Sequence, residues 1–158
     1  MKQTINIFWF KRDLRTIDNS ALKRAVKEKN RLLLIFTFDD ALLNDKHYTT
    51  RHHNFINESL YDLNLFFKKF GCKIHSFEMN IISLFEELKS KFNIEKVFSH
   101  METGLKSSYD RDLKFKKYCE DNNIEWIEEI NNGVFRKLQS RDNGILNWNN
   151  YCLLYTSP

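Results

Sequence analysis

The sequence predicts an α/β fold: a Rossmann-like, doubly wound parallel sheet of about five strands with helices on both faces. Three observations carry this. Short runs such as Leu32-Leu33-Leu34-Ile35-Phe36-Thr37-Phe38 are apolar without alternation, the mark of a strand covered on both sides. Segments with apolar residues at three- and four-residue spacing separate those runs. The connections between them are short, so β-α-β crossovers are the natural solution.

The first unit opens with a strand at Ile5–Phe10, β-branched and aromatic with no Gly or Pro. A charged loop, Lys11-Arg12-Asp13-Leu14-Arg15, follows it. Asp18 or Asn19 can cap a helix from about Ser20 to Asn30 by accepting orphan backbone N–H groups. The second strand, Leu32–Phe38, ends at Asp39-Asp40. Ala41 to Thr50 reads as a loop. A long helix is predicted from Arg51 to Phe70, with Ile56, Leu60, Leu63, Phe67 and Phe70 as its stripe and Gly71 as its left-handed cap. Cys72–Phe77 alternates and reads as a half-exposed edge strand. Asn80 caps the next helix, striped by Ile81, Phe85, Leu88 and Phe92. A short strand at Lys96–His100 and the loop Met101–Gly104 precede a polar helix to about Asn123, with a weak stripe of Tyr109, Leu113 and Tyr118. Ile124–Ile127 is the last strand. The aromatic residues Phe66, Phe67, Phe70, Phe85 and Phe92 are expected in the core.

After Trp126 the character changes. Asn131-Asn132-Gly133 and Asp142-Asn143-Gly144 mark turns, and no further β-α unit is apparent. We therefore expect a domain over residues 1–130 and the start of an interdomain linker over 131–151. The apolar end, Cys152–Pro158, belongs to no period and reads as a non-native tail.

Bulk properties narrow the function classes. The 158 residues suffice for one domain that needs no staple. The three cysteines are odd in number and widely spaced, which points away from a zinc site or a disulfide framework and toward a reducing, cytoplasmic setting. No leader and no apolar run of membrane-spanning length is seen, so neither membrane nor metal is expected as a partner. The formal charge of +4 permits contact with nucleic acid without arguing for it. With only four glycines, none in the first β-α loop, a Gly-rich phosphate cradle is excluded.

Ligands of such sheets bind at the carboxyl ends of the strands, at the switch point. Arg12 and Asp13 from the first loop, Asp39 from the second, Arg51 at the start of the long helix and Glu102 after the fourth strand all fall at that edge. They are the candidate cofactor-binding residues. No catalytic residue is assigned. A second reading stays open from the residues alone, in which Arg12–Asp13 and Arg51–Asp39 are ordinary ion pairs pinning loops.

Trp9-Phe10-Lys11-Arg12-Asp13-Leu14-Arg15 followed by Asp18-Asn19-Ser20-Ala21-Leu22 resembles the opening of the DNA photolyase/cryptochrome family, with Lys11 in place of that family's first Arg. Arg51-His52-His53-x-Phe55 with Ser59-Leu60-x-Asp62-Leu63-Asn64, Glu102-Thr103-Gly104 with Tyr109-x-Arg111-Asp112, and Gly133-Val134-Phe135-Arg136 with Ser140-Arg141-Asp142 and Trp148 extend the likeness in order. The resemblance implies the N-terminal antenna domain of a blue-light flavoprotein. FAD would sit in a C-terminal helical domain that is not in this sequence. That domain and damaged DNA, met through the full-length protein, are the implied partners. The parent would be a photolyase that splits pyrimidine dimers, and this chain alone would be inactive. An antenna chromophore would bind here. Ser107-Ser108 stand where folate-binding members carry Asn-Glu, which favours a deazaflavin or flavin over a folate. Two rivals remain, a stand-alone nucleotide-binding domain of similar topology and an interaction domain.

Overall fold

The computed structural model describes residues 2–131 and, beyond them, residues 140, 144–146 and 148. Strand β1 spans Gln3–Phe10, β2 Arg31–Thr37, β3 Ile74–Phe77, β4 Phe92–His100 and β5 Glu125–Glu129. Between them lie helices α1 (Ser20–Val26), α2 (Asp40–Leu43), α3 (Thr50–Lys68), α4 (Ile81–Lys91) and α5 (Lys106–Asp121). The five strands pair in parallel in the order β3-β2-β1-β4-β5. The doubly wound sheet that the sequence predicts is the one observed.

β1 is the centre of the sheet and feeds both cores, because successive side chains point to opposite faces. Ile5, Ile7 and Trp9 pack with Ile81, Leu84, Phe85 and Leu88 of α4 and Phe115 and Cys119 of α5. Phe8 and Phe10 pack on the other face with Ala21, Leu22 and Ala25 of α1 and Leu60, Leu63 and Phe67 of α3. The strand register brings Phe10 beside Phe36 and Phe8 beside Phe98, so the carboxyl ends of β1, β2 and β4 align at one edge.

The caps follow the sequence. Asn19 accepts from the Leu22 N–H at 2.8 Å and Asn80 from the Ser83 N–H at 2.9 Å. Gly71 takes a φ of +68°, the left-handed conformation that stops the chain after α3. β3 lies at the edge and is half exposed, as its alternation implies.

Five local expectations are corrected. α1 ends at Val26 rather than Asn30, since Lys27-Glu28-Lys29 has nothing to bury. The Ala41–Thr50 loop begins with the short helix α2, capped by Asp39. Phe92 starts β4 instead of ending α4, because Phe92, Asn93 and Ile94 pair with Gln3, Thr4 and Ile5. Phe66 and Phe70 are exposed, not core, while Phe67 and Phe85 are buried. The buried face of α5 is Ser108, Asp112, Phe115 and Cys119, not the Tyr109-Leu113-Tyr118 stripe. Two of its four inward positions carry polar side chains, which hides the period from a hydrophobicity reading. The expected linker at 131–151 lies mostly, and the tail at 152–158 wholly, outside the described residues.

Cys72 and Cys119 are free thiols, and burial pushes the Cys119 thiol up to about 12. Among the described residues, no helix is long and apolar enough to cross a membrane, and no group of His, Cys, Asp and Glu could hold a metal ion.

The α5 face gives a direct test. Phe115 is fully buried and Leu113 is 46% exposed. Phe115→Ala should cost about 3–5 kcal/mol in urea denaturation. Leu113→Ala should stay within about 0.5 kcal/mol of the parent.

Candidate functional site

The site is built on a charge that the sheet buries. Lys11 follows β1 directly, and its side chain is only 2% exposed. Its Nζ lies 2.9 Å from Asp112 Oδ2 and 3.5 Å from Glu128 Oε1. It also stands 4.7 Å from the Trp9 ring and 5.0 Å from the Trp126 ring. An ammonium removed from water is tolerable only with such compensation, supplied here by a carboxylate on α5, one on β5 and two indole faces.

Arg111 continues the network. Its guanidinium reaches Asp112 at 2.8 Å, Glu102 at 2.6 Å and Asp39 at 3.1 Å, and lies 4.8 Å over the Trp9 ring. Glu102 is shared, because its other oxygen accepts from Arg12 Nε at 2.7 Å. Arg12 also faces the Tyr48 ring at 5.9 Å. Gly104, at a φ of +138°, leaves room for the Arg12 guanidinium. A Cβ there would stand 3.3 Å from Arg12 Nη1.

The environments set the protonation states. Burial opposes charge on Asp112, but Lys11 and Arg111 overcome it and hold the carboxyl below its ordinary value. Burial likewise opposes charge on Asp13, yet the His100 ring and the Lys11 backbone N–H pull it down. For Asp39 burial wins over Arg111, and its carboxyl is raised. Burial disfavours the Arg111 cation, but Asp112, Glu102 and Asp39 raise its pKa further still.

Beside this network opens a cavity of about 630 Å³. Its floor is the carboxyl end of β1 and β2, with Trp9, Phe10, Phe36 and Thr37. The Trp9 indole is fixed there by a 3.2 Å hydrogen bond from Nε1 to Thr37 Oγ1. One wall is the first turns of α3, with Arg51, His52 and Phe55; the other is Lys11, Arg12, Glu102 and Arg111. The volume suits a small-molecule ligand, and the mix of aromatic floor and cationic walls suits a planar ring system bearing an anionic group.

Of the five sequence candidates, Arg12, Arg51 and Glu102 line this cavity. Asp39 stands behind it, 2% exposed, held by Arg111 and capping α2 through the Leu42 N–H at 3.2 Å. Asp13 is buried on the far side of its loop against His100. The pairs Arg12–Asp13 and Arg51–Asp39 do not form. Arg12 instead takes Glu102, and Asp39 takes Arg111. Arg51 is exposed at the rim with no acidic partner among the described residues.

The strand order reverses between β1 and β4, yet the crevice there holds only about 190 Å³ between Asp13, His100 and Glu102. The cavity of about 630 Å³ lies beside it, over β1 and β2, and the Asp13–His100 contact occupies the switch point. Lys11, Arg111, Trp9 and Tyr48 were not among the candidate site residues, although Trp9 and Lys11 stood in the opening motif. Arg111 and Asp112 did stand in a quoted motif, Tyr109-x-Arg111-Asp112, so a signal for them was present.

Comparison with known proteins places this geometry. A family model described as DNA photolyase matches residues 6–140. The chain is 27% identical over 147 residues to Cryptochrome-1 of Aedes aegypti, covering 88% of this chain and 27% of that protein. It is 28% identical over 105 residues to a chloroplastic/mitochondrial cryptochrome DASH of Arabidopsis thaliana, covering 63% of this chain and 18% of that one. Among solved structures, the archaeal photolyase of Sulfolobus tokodaii, crystallised with two FAD molecules and read as implying a novel light-harvesting cofactor, superposes with a TM-score of 0.72 at 26% identity. That match covers 92% of this chain and 34% of the other. The cryptochrome of Synechocystis superposes at 0.74 with 19% identity, over 82% of this chain and 28% of its own, a likeness of fold. The chain thus spans about a quarter of the length of the Aedes relative.

The buried pair makes two measurable demands. Asp112→Asn leaves Lys11 without its nearest countercharge and should lower stability at neutral pH by about 3–5 kcal/mol. Lys11→Met combined with Asp112→Leu should lose less than the sum of the two single changes in a denaturation cycle. The second demand concerns acid. Asp13 and Asp112 both lie below the ordinary value of 3.8, so their stabilisation is complete above about pH 4 and is lost as pH falls through their folded values. Asp39, raised, acts in the opposite sense and weakens the fall. Urea midpoints should be flat through neutral pH and drop below about pH 4, with a shallower drop in Asp112→Asn.

Proposed function

The chain belongs to the DNA photolyase family, and from that premise we propose that its cavity houses an antenna chromophore of the flavin or deazaflavin type. The observation that carries this reading is the cavity itself: about 630 Å³, floored by Trp9, Phe10 and Phe36 and flanked by Arg12 and Arg51. An isoalloxazine-like ring system offers a flat apolar body and an anionic or phosphorylated side chain, and the residues present fit both parts. When bound, such a chromophore absorbs near-ultraviolet and blue light and passes the excitation on.

The residues of this chain bind and orient. Leu14, Leu42 and Ile56, only partly buried, and the exposed Phe55 supply apolar surface. Arg51, exposed and without an acidic partner among the described residues, is placed to meet an acidic group. Glu102 holds Arg12 and Arg111 in place, since each of its oxygens accepts from one of them. Asp13 and Asp39 support the loops and stand outside the cavity. A folate fits less well. Ser107 and Ser108 occupy the positions of the folate-binding Asn-Glu, and both hydroxyls are engaged, with Asp45 at 2.8 Å and the Leu105 carbonyl at 2.9 Å. The flavin seen in the Sulfolobus tokodaii photolyase supports the same choice.

The rest of the activity belongs to the full-length protein. FAD in a helical domain, damaged DNA as substrate and a cytoplasmic setting complete the proposed flavoprotein. Residues 1–130 are its antenna domain and 131–151 the start of the link to the helical half.

The test is a titration of the purified chain with riboflavin, FMN and a reduced folate, followed by flavin or folate fluorescence. FMN should bind with a Kd of about 1–10 μM. Arg51→Ala should weaken FMN about tenfold and riboflavin less, the difference expected for a lost charge-assisted contact. The isolated chain should cleave no pyrimidine dimer under blue light. Preference for folate, or no flavin binding at all, would overturn the reading.

A further inference from the structure

We propose that His100 is the positioning residue of the cavity rim: with its Nδ1 proton turned to Asp13 and Nε2 accepting from the start of α1, it locks the loop after β1 to α1 and thereby fixes where Arg12 stands. The assignment of the proton rests on geometry. His100 closes β4, and its ring is 3% exposed. On one side Nδ1 meets the Asp13 carboxylate in a short contact. On the other side Nε2 lies 3.5 Å from the Ala21 backbone nitrogen and 3.2 Å from Ser20 Oγ. A backbone N–H can only donate and the Ser20 hydroxyl can donate as well, so both neighbours suit an Nε2 that presents its lone pair, with the ring proton on Nδ1 toward Asp13.

The position of the ring explains its role. Asp13 Oδ1 also accepts from the Lys11 N–H at 3.1 Å, so the carboxylate grips the root of the loop. The far end of the loop is tied by Asn19, which caps α1 through the Leu22 N–H and donates to the Arg15 carbonyl at 2.9 Å. His100 touches both ends. Two successive loop residues thus form two rungs to the loop after β4 and the end of that strand: Arg12 to Glu102, and Asp13 to His100. The first rung is 42% exposed on its Arg12 side and is weak alone; the second is buried.

Asp13, His100 and Ser20 resemble a nucleophile relay, but the space beside them is lined by Asp13 and His100 and not by Ser20. The serine is therefore not presented to a ligand there, and the constellation serves as a latch.

Only the effect on ligand rests on the flavin reading, so the test has independent arms. Nitrogen-15 NMR of the histidine rings should show His100 protonated at Nδ1 and bare at Nε2 at neutral pH. His100→Gln can still accept from Ala21 but cannot donate to Asp13. It should leave Ala21 amide exchange protected and speed Lys11 amide exchange about tenfold. His100→Asn should do the reverse. With FMN as probe, His100→Gln should weaken binding about tenfold, and the loss should not add to that of Arg12→Ala, because both act through one side chain. An Nε2-protonated or doubly protonated ring, or unchanged Lys11 exchange in His100→Gln, would overturn the proposal. If no variant folds, the ring-nitrogen spectrum of the parent chain decides alone. If FMN fails to bind the parent chain, the flavin reading falls while the spectrum and the exchange data still judge the latch.

Discussion

The desolvation of one ammonium group governs the carboxyl edge of this protein. Lys11 is carried under the surface by the most buried strand of the sheet, and a charge there must be matched or the strand cannot end where it does. The match fixes several elements at once. α5 must turn Asp112 inward, β5 must bring Glu128 within reach, and Trp9 and Trp126 must offer their faces. Asp112 then needs Arg111 on its other oxygen, Arg111 needs Glu102 and Asp39, and Glu102 is left to hold Arg12. The cationic wall of the cavity is the outer end of that ladder. Its shape follows from the burial of a lysine several ångströms behind it.

This ladder also explains which parts of the molecule could be read from the chain. Strands buried on both faces announce themselves, and β1 and β2 were legible because Ile7 to Phe10 and Leu32 to Phe36 run apolar without a break. The helices α3 and α4 show their stripes for the same reason. α5 does not, because Ser108 and Asp112 sit where a hydrophobic period expects a Leu or an Ala. The residues that make the site are the ones that disguise its helix. Phe92 misled for a different reason, since it continues the α4 stripe in sequence but is claimed by pairing with Gln3 in the sheet.

The candidate site was legible in part. Arg12, Arg51 and Glu102 could be placed at the cavity because topology alone brings their loops to one edge. Their partners could not. Arg12 and Asp13 are neighbours in the chain yet serve opposite sides of the loop, and the partner of each comes from a segment far off in sequence. Arg111 went unassigned although it stood in a quoted motif, because the hydrophobic period of a polar helix gives no sign that a basic residue faces inward. The cavity lies beside the switch point rather than in it, and His100 and Asp13 occupy the crevice, a contact that no spacing rule reveals.

Trp9 has one more consequence. Its indole is buried beneath the cavity floor, lies 6.3 Å from the indole of Trp126, and has Lys11 and Arg111 over its ring. The third tryptophan, Trp148, is half exposed. The ultraviolet emission of the protein therefore divides into a red, water-quenched component and a component from the interior pair. A molecule entering the cavity changes the surroundings of the interior pair, so the protein carries a native fluorescent gauge of its own occupancy.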